Sequence, residues 1–240
     1  MKNKTGIWNG ILILLIVCMC GGVQLWQYLK QPPSSTKVFQ DALQYVVEIK
    51  STDAKKGEAF GSGVVWNEDG VIVTNAHVVT FTKEKDIHAF EMIEIRYASQ
   101  EEYIPVTLID YDINLDIAFL QMEGVEDTVS CAQQPEKDNL QSGDTVYAIG
   151  NTSNYGISFS QGYVGVPLVR IEYENRIRNV IQCDLNISEG NSGGALLNAR
   201  GEFLGLTTFR TRDTSGNINY GISYSIPVSE LNDLWVKIKK

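Results

Sequence analysis

One hydroxyl stands among three glycines in the stretch Gly190-Asn191-Ser192-Gly193-Gly194, which continues as Ala195-Leu196-Leu197. Glycine permits a positive φ and the close approach of another segment of backbone. A nucleophilic serine needs both properties, because its Oγ must protrude from a tight turn while backbone N–H groups point at a developing oxyanion. The apolar run predicts a buried strand after the turn. A plain glycine-rich turn between two strands would explain the same residues, so a nearby base and carboxylate must be found elsewhere.

A histidine that could activate Ser192 lies in the segment Thr74-Asn75-Ala76-His77-Val78-Val79, at the end of a predicted strand. A lone histidine at such a place is often structural. The chain has only one other histidine, His88, and it lies in a charged segment where a solvated side chain is expected. His77 is therefore the candidate general base.

A carboxylate comes directly before an apolar strand at Asp116, which Ile117-Ala118-Phe119-Leu120 follows. Burying a charge there is costly unless the charge is paired. A hydrogen bond from one imidazole nitrogen of His77 would meet that cost and would leave the other nitrogen able to accept the serine proton. Two alternatives lie farther from the strand, in a polar turn: Asp110 and Asp112.

Short apolar runs alternate with turn residues from residue 38 onward, which predicts an all-β barrel or sandwich. The predicted strands lie at residues 45–49, 59–66, 71–74, 92–97, 103–110, 117–121, 145–149, 163–170, 179–182, 194–198, 203–209 and 221–227. A helical turn is predicted at residues 38–44 and a terminal helix, capped by Ser229, at residues 229–240. Residues 80–91 and 210–219 are predicted to be surface loops, the second of them mobile.

Composition excludes several classes of function. The 240 residues carry a formal net charge of −9, which argues against nucleic acid as a partner, because phosphate binding needs clustered Lys and Arg. With two histidines and no CxxC or HExxH motif, neither a metal site nor another cofactor is expected. Beyond the apolar N-terminal segment the chain has two cysteines, Cys131 and Cys183, and the sequence leaves open whether they pair.

The N-terminal segment is long and apolar enough to cross a bilayer, since residues 5–29 contain no charged side chain. We predict a cytoplasmic segment at residues 1–6, a transmembrane helix at 7–29, a linker at 30–37 and a folded domain at 38–240. Lys2 and Lys4 precede the apolar run, so the positive-inside rule places the folded domain on the extracytoplasmic side. The expected location is a bacterial cell membrane, which the chain crosses once.

Two other processing schemes would explain the same apolar segment. A cleaved signal peptide is one, but no clear small-x-small cleavage site follows the apolar core, and aromatic residues flank it as at membrane interfaces. A lipoprotein would use Cys18 or Cys20, but Val17 and Met19 are larger than the small residue usual before a lipidated cysteine.

Several motifs, taken in order, make the chain resemble the trypsin-like serine proteases and most closely the HtrA/DegP family. They are Gly61-Ser62-Gly63-Val64-Val65, Val73-Thr74-Asn75-Ala76-His77-Val78-Val79, Asp116-Ile117-Ala118-Phe119-Leu120, Gly143-Asp144, Ala148-Ile149-Gly150-Asn151, Gly190-Asn191-Ser192-Gly193-Gly194-Ala195-Leu196 and Tyr220-Gly221-Ile222-Ser223-Tyr224-Ser225-Ile226-Pro227. Each motif alone is weak, whereas the ordered set is specific. The resemblance implies a double six-stranded antiparallel β-barrel with a site in the cleft between the barrels.

The resemblance also implies roles for individual residues. Ser192 corresponds to the nucleophile, His77 to the general base and acid, and Asp116 to the carboxylate that orients the histidine. The backbone N–H groups of Gly190 and Ser192 correspond to the oxyanion hole. Asn191 replaces the Asp that pairs with a newly cut N-terminus in digestive enzymes, so no zymogen cleavage is expected.

Further family positions concern specificity and assembly. Asn186 corresponds to the base of the primary specificity pocket, where a neutral amide favours small or polar side chains over Arg and Lys. The residues expected to line the same cleft are Gly162, Thr207, Thr208 and Phe209. The family often forms trimers through its N-terminal segment, a role that Phe39 and Tyr45 could take. It usually continues into a PDZ domain, which we do not expect to regulate this chain.

These observations predict a membrane-anchored serine endopeptidase that acts on extracytoplasmic or unfolded polypeptides. The alternative is a catalytically latent peptide-binding or chaperone module of the same fold, with residues 151–161 and 210–219 as the loops that would switch. A purely structural surface protein would leave the three ordered motifs unexplained.

Overall fold

The computed structural model describes residues 31–125, 128–137, 139–173, 175–211, 215 and 219–239. It divides the chain into two units, Met1–Pro33 and Ser34–Lys240. Of the first unit only residues 31–33 are described, and they are exposed, so the predicted cytoplasmic segment and membrane helix lie outside the described residues. Within the described ranges, no helix has the length and apolar character that crossing a membrane requires.

The first half of the second unit forms a closed antiparallel barrel of six strands. Its strands are β1 (Val46–Asp53), β2 (Gly57–Val65), β3 (Val71–Thr74), β6 (Met92–Tyr97), β7 (Ile104–Asp112) and β8 (Ile117–Met122), in the order β1-β2-β3-β8-β7-β6. Helix α1 (Ser35–Ala42) precedes the barrel. Helix α2 (Ala76–Val79) follows β3 and leads into a separate hairpin of β4 (Thr80–Lys83) and β5 (Asp86–Ala89).

The second half forms another closed antiparallel barrel of six strands. They are β9 (Thr145–Asn151), β10 (Ile157–Tyr173), β11 (Arg176–Cys183), β12 (Ala195–Asn198), β13 (Phe203–Phe209) and β14 (Ser223–Pro227), in the order β10-β11-β14-β13-β12-β9. A 3-10 turn at Thr152–Asn154 links β9 to β10, and helix α3 (Val228–Ile238) follows the last strand. The predicted all-β double barrel is therefore confirmed.

One apolar cluster extends through both barrels, and a smaller one fills the second barrel. Trp66, after β2, packs edge-on against Phe119 of the first barrel and Phe203 of the second, with ring centroids 5.9 and 6.4 Å away. All three side chains are buried. Burial of such large apolar surfaces stabilises the fold, at about 25 cal/mol for each Å² removed from water. This packing joins the two barrels.

Some predicted boundaries were wrong. Residues 80–91 are not a plain loop but contain the β4–β5 hairpin, whose two-residue turn places Glu84 and Lys85 at φ +53° and +88°. No residue pattern predicts this turn, because Asn and Gly usually occupy such turns and here Glu84 and Lys85 do. Phe81 and Phe90, with ring centroids 5.0 Å apart, hold the hairpin in place.

Two further corrections concern segments of the second barrel. The predicted loop 151–161 is shorter, since β9 extends to Asn151 and β10 starts at Ile157. Helix α3 begins at Val228 after the extended residue Pro227, so Ser229 lies inside the helix and does not cap it. Most of the predicted loop 210–219 lies outside the described residues.

Candidate active site

His77 and Asp116 form a hydrogen-bonded pair in the first barrel. His77 lies on helix α2, and its Nδ1 is 2.9 and 3.0 Å from the two carboxylate oxygens of Asp116. The backbone N–H of His77 also donates to Asp116 Oδ1, over 3.0 Å. Asp116 is buried, whereas the side chain of His77 is 48% exposed. With a proton on Nδ1, bonded to the carboxylate, Nε2 carries the lone pair of the neutral imidazole and can act as a base.

The backbone at Asp116 is held in an uncommon conformation. Its φ of +61° lies in the left-handed region, which non-glycine residues rarely adopt. The side-chain amide of Asn75, which is fully buried, donates to the carbonyl of Asp116 over 2.9 Å and to Thr208 Oγ1 over 3.2 Å. Asn75 therefore connects the Asp116 turn of the first barrel to β13 of the second.

Arg178 is, after His77, the second residue that faces the carboxylate of Asp116, and sequence reasoning missed it. It lies on β11, is 5% exposed, and places Nη1 3.6 Å from Asp116 Oδ2. Its Nε donates to the carbonyl of Asn114 over 3.1 Å. In the sequence, the arginines of this hairpin alternate with glutamates and suggest a solvated face, so only the fold reveals that Arg178 points inward.

The turn around Ser192 requires its flanking glycines. Gly190 and Gly193 have φ of +90° and +82°. A Cβ at Gly190 would lie 2.0 Å from the carbonyl oxygen of Asn151, and one at Gly193 would lie 2.2 Å from that of Ser62. No real Cβ occupies such positions, so another residue at either site would displace the backbone of Ser192.

The hydroxyl of Ser192 donates to the carbonyl oxygen of Thr208 over 2.9 Å. Within the turn, the backbone N–H of Asn191 donates to Ser188 and that of Gly193 to Thr207, over 3.1 and 2.8 Å. Among the described residues, no hydrogen bond engages the N–H of Gly190 or Ser192. Those two donors are the pair that the family resemblance assigns to an oxyanion.

Ser62, on β2 of the first barrel, braces this turn from behind. Its hydroxyl donates to the carbonyl of Gly190 over 2.7 Å and accepts from the backbone N–H of Asn151 over 2.8 Å. Its own N–H donates to the carbonyl of Ser192 over 2.9 Å. Ser62 is fully buried. It belongs to one of the quoted motifs, but its role follows only from the structure.

A buried carboxylate extends this brace into the first barrel. Glu48 on β1 accepts hydrogen bonds from Asn151 Nδ2 over 3.2 Å, Arg96 Nη2 over 2.9 Å and Tyr103 Oη over 3.3 Å. Burial of a charge is tolerated when the charge is paired in this way. The network was not predicted, because its members are widely separated in the sequence.

A cavity of about 350 Å³ brings these groups together. It is lined by His77, Ile113, Asp116, Tyr173, Arg176, Arg178, Ser192, Thr208 and Phe209. The rings of Tyr173 and Phe209 stack on one another with centroids 4.1 Å apart. The cavity thus combines an imidazole–carboxylate pair, a hydroxyl and an aromatic wall. In the described part of the chain, no group of three His, Cys, Asp or Glu side chains could hold a metal ion.

Comparison with known proteins identifies the family. Residues 61–206, more than half of the chain, match the family model described as trypsin-like peptidase domain. The chain belongs to the trypsin-like peptidases.

Similar proteins agree with this assignment. The serine endoprotease DegS of Haemophilus influenzae is 33% identical over 194 residues, which cover 80% of this chain and 54% of that protein. The periplasmic pH-dependent serine endoprotease DegQ of Escherichia coli is 33% identical over 205 residues, covering 82% and 40%. The chain therefore spans about half or less of the length of these relatives.

A solved structure is similar as well. The HtrA-type protease AlgW with a tripeptide superposes with a TM-score of 0.73 at 25% identity, covering 86% of this chain and 64% of that one. Together with the relatives, it confirms the predicted resemblance to HtrA-type trypsin-like serine proteases.

The residues expected to set specificity in this trypsin-like peptidase do not all meet in the cavity. Thr208 and Phe209 line it, whereas Thr207 is buried behind it and donates its hydroxyl to the carbonyl of Asn191 over 2.6 Å. Asn186 is exposed and is not part of the lining. Gly162 lies against Asp184, whose Oδ1 would be 2.4 Å from an added Cβ. The assignment of Asn186 to a specificity pocket stays a prediction.

Other predicted positions have defined surroundings. The amide oxygen of Asn191 accepts a hydrogen bond from Thr152 Oγ1 over 3.0 Å. Tyr45 is buried and Phe39 packs edge-on against Phe159 of the same chain, with ring centroids 5.8 Å apart, so the two aromatics considered for trimer contacts serve the chain's own core.

The two thiols of the trypsin-like domain, Cys131 and Cys183, are free. Burial raises the pKa of Cys183 to about 12.

Proposed function

We propose that this protein is a serine endopeptidase that hydrolyses peptide bonds of polypeptides, with Ser192 as nucleophile, His77 as general base and Asp116 as the carboxylate that orients it. The observation that carries the proposal is the hydrogen bonding of His77 Nδ1 and backbone N–H to Asp116, in a cavity that Ser192 also lines. This arrangement matches the requirement of nucleophilic catalysis that a base be held in one tautomer beside a hydroxyl.

The first step is a rotation of the serine hydroxyl. Its bond to the carbonyl of Thr208 must break so that the proton can pass to Nε2 of His77 while Oγ attacks the substrate carbonyl carbon. The resulting oxyanion would accept hydrogen bonds from the N–H groups of Gly190 and Ser192, which no other acceptor of the described residues occupies. The imidazolium of His77 then protonates the leaving amine, and an acyl-enzyme remains on Ser192.

Deacylation repeats the sequence with water. His77 takes a proton from the water, whose oxygen attacks the acyl carbonyl, and then returns that proton to the oxygen of Ser192 as the carboxylic acid leaves. Asp116 stays ionised throughout and stabilises the imidazolium in both halves. The backbone N–H and the ring Nδ1 of His77 both bond to this carboxylate, which holds its charge beside the imidazole.

The proposal also covers the cellular location of the peptidase. We infer that residues 7–29 anchor the chain in a bacterial membrane and that the peptidase acts on the extracytoplasmic side. The uncharged run at residues 5–29 supports the anchor, and relatives named as periplasmic endoproteases support the side. A homo-oligomer, for which the family offers the trimer as precedent, remains compatible with this setting.

One observation favours a second function, a latent peptide-binding module of the same fold. The hydroxyl of Ser192 is engaged with the carbonyl of Thr208 in the described conformation, which is a resting arrangement and not an attacking one. A peptide could then bind beside Phe209 without being cut. The two functions differ in whether Ser192 reacts.

A fluorophosphonate probe and unfolded casein test the choice. We expect the full chain to be labelled by the probe and to cleave casein, and the Ser192→Ala variant to do neither. The control is Ser229→Ala, a change at an exposed position of α3, which should behave as the parent does. Absence of labelling in the parent at every pH would overturn the peptidase proposal.

Peptide reporters with Arg or a small residue before the scissile bond test the proposed role of Asn186 in specificity. Efficient cleavage after Arg would contradict that role.

A further inference from the structure

Arg178 is a buried cation that crosses from one barrel to the other. It belongs to β11 of the second barrel, yet both of its polar contacts are with the turn before β8 of the first. Its Nε donates to the carbonyl of Asn114 over 3.1 Å, and Nη1 lies 3.6 Å from Asp116 Oδ2. At 5% exposure its charge has little access to water, so the two contacts must replace hydration.

The carboxylate of Asp116 is therefore shared between two groups. Both of its oxygens lie within 3.0 Å of His77 Nδ1, and one of them also faces the guanidinium. With a neutral imidazole, the single negative charge of Asp116 balances the single positive charge of Arg178. A proton on Nε2 of His77 would place a second positive charge against the same carboxylate.

The direction of the electrostatic effect follows from this count of charges. A like charge close to an ionisable group disfavours its charged form. Arg178 accordingly opposes protonation of His77, so that a lower pH is needed to protonate the imidazole. Because only the neutral imidazole can act as a base, the effect preserves the base in mildly acidic solution.

Other titratable groups lie on the elements around the pair. The remaining titratable side chains in the lining of the cavity are Tyr173 and Arg176, on the β10–β11 hairpin. Strands β1, β2, β4 and β8 pack against helix α2. The charged side chains on these strands are Glu48, Lys50, Asp53, Glu58 and Lys83, and none of them lines the cavity within the described ranges.

We propose that Arg178 is a positioning residue that fixes Asp116 across the junction of the barrels and extends the working range of His77 as a base towards lower pH. The proposal rests on the proposed function, because it assigns a role to Arg178 in the reaction of Ser192. The same residue also supports the left-handed backbone of Asp116, through its bond to Asn114 two residues earlier.

Proton titration of the histidines by NMR tests the coupling without any need for activity. In the full chain carrying Ser192→Ala, the two histidines give two sets of imidazole signals, and His88→Gln identifies which set belongs to His77. We expect Arg178→Gln to raise the titration midpoint of His77 by about 1 pH unit, at the lower end of the shifts that a charge at this range produces. His88 serves as the internal control and should not move.

Arg178→Lys keeps the charge but cannot reach both Asn114 and Asp116, so we expect a smaller rise in the same direction. An unchanged or lowered midpoint of His77 in a folded Arg178→Gln protein would overturn the proposal. If that variant does not fold, as judged by the His88 signals and by the dispersion of the spectrum, the titration midpoint of His77 in Arg178→Lys is the test. An unchanged or lowered midpoint there would overturn the proposal as well.

The pH dependence of kcat/KM provides the functional measurement in chains that keep Ser192. We expect Arg178→Gln to move the acidic limb of the profile to higher pH by the same amount, about 1 pH unit. At a fixed pH on that limb, kcat/KM should fall about tenfold, with a smaller change on the plateau. A purely structural role would lower kcat/KM by one factor at every pH. If the parent cleaves nothing, the proposed function fails, while the NMR titration still decides whether Arg178 acts on His77.

Discussion

Ser62 offers the sharpest test of how the nucleophile turn is held. Its hydroxyl bridges the carbonyl of Gly190 and the backbone N–H of Asn151, over 2.7 and 2.8 Å, at a position with no solvent exposure. Ser62→Ala would remove one oxygen atom and leave one buried acceptor and one buried donor without partners. The loss of packing volume is small, so the two orphaned backbone groups dominate the effect.

The magnitude follows from the cost of unsatisfied groups. Each buried donor or acceptor left without its partner costs about 1–3 kcal/mol, so Ser62→Ala should lower the free energy of unfolding by about 2–6 kcal/mol. Domains are stable by only about 5–15 kcal/mol, so the loss is large enough to measure easily. We also expect kcat/KM to fall, because a freed Gly190 carbonyl no longer fixes the peptide group behind the proposed oxyanion site.

Urea unfolding followed by the fluorescence of Trp66 and Trp235 measures the effect, and Ser51→Ala is the matched control. Ser51 is equally buried and lies in the same barrel, but its hydroxyl has no hydrogen-bond partner among the described residues. Its replacement should therefore leave stability unchanged or raise it slightly. The free energies of unfolding of the Ser62→Ala and Ser51→Ala proteins should differ by at least about 2 kcal/mol. A difference below about 1 kcal/mol would refute the reasoning.

Two other predictions concern the same domain. Gly193 has φ +82°, and an added Cβ would lie 2.2 Å from the carbonyl oxygen of Ser62, so Gly193→Ala should lower the free energy of unfolding by about 2–5 kcal/mol through backbone strain and overpacking. Gly221 has φ +78° but open space around it, so Gly221→Ala should lower it by only about 1–2 kcal/mol. Equal losses for the two variants in urea unfolding would contradict this reasoning. Burial raises the pKa of Cys183 from 9.0 to about 12, so the stability that its neutral thiol contributes is complete below pH 9.0 and is lost as the pH rises towards about 12. Urea midpoints at increasing alkaline pH should fall less in Cys183→Ala than in the parent, and an identical fall would count against the burial argument.

Much of the fold could be predicted because it is encoded locally. Strands β3, β6 and β13 begin and end where the short apolar runs predict. Burial alternates at the start of β6, whereas β3 and nearly all of β13 are buried on both faces, so a continuous run marks them. The β4–β5 hairpin was missed for the opposite reason. Its turn residues are chemically unsuited to a positive φ, and contacts between Phe81 and Phe90 override the local preference.

Some features of the candidate site could be predicted from the sequence, and others could not. Ser192, His77 and Asp116 could be proposed from sequence, because a nucleophile, a base and an orienting carboxylate each require a recognisable residue in a recognisable local setting. The engagement of the Ser192 hydroxyl with Thr208, and the exposure of Asn186 outside the cavity, depend on how the turn sits against β13. No local pattern carries that information.

The amino-acid sequence alone determined the class of fold, the positions of most strands along the chain and the three residues proposed for catalysis, because periodicity and motif chemistry act over a few neighbouring residues. Only the tertiary structure decided which side chains support them. Ser62 reaches Gly190 across 128 positions and Arg178 reaches Asn114 across 64, because closure of two barrels sets their strands side by side. Such long-range contacts depend on the register and packing of whole sheets, which short stretches of sequence do not specify.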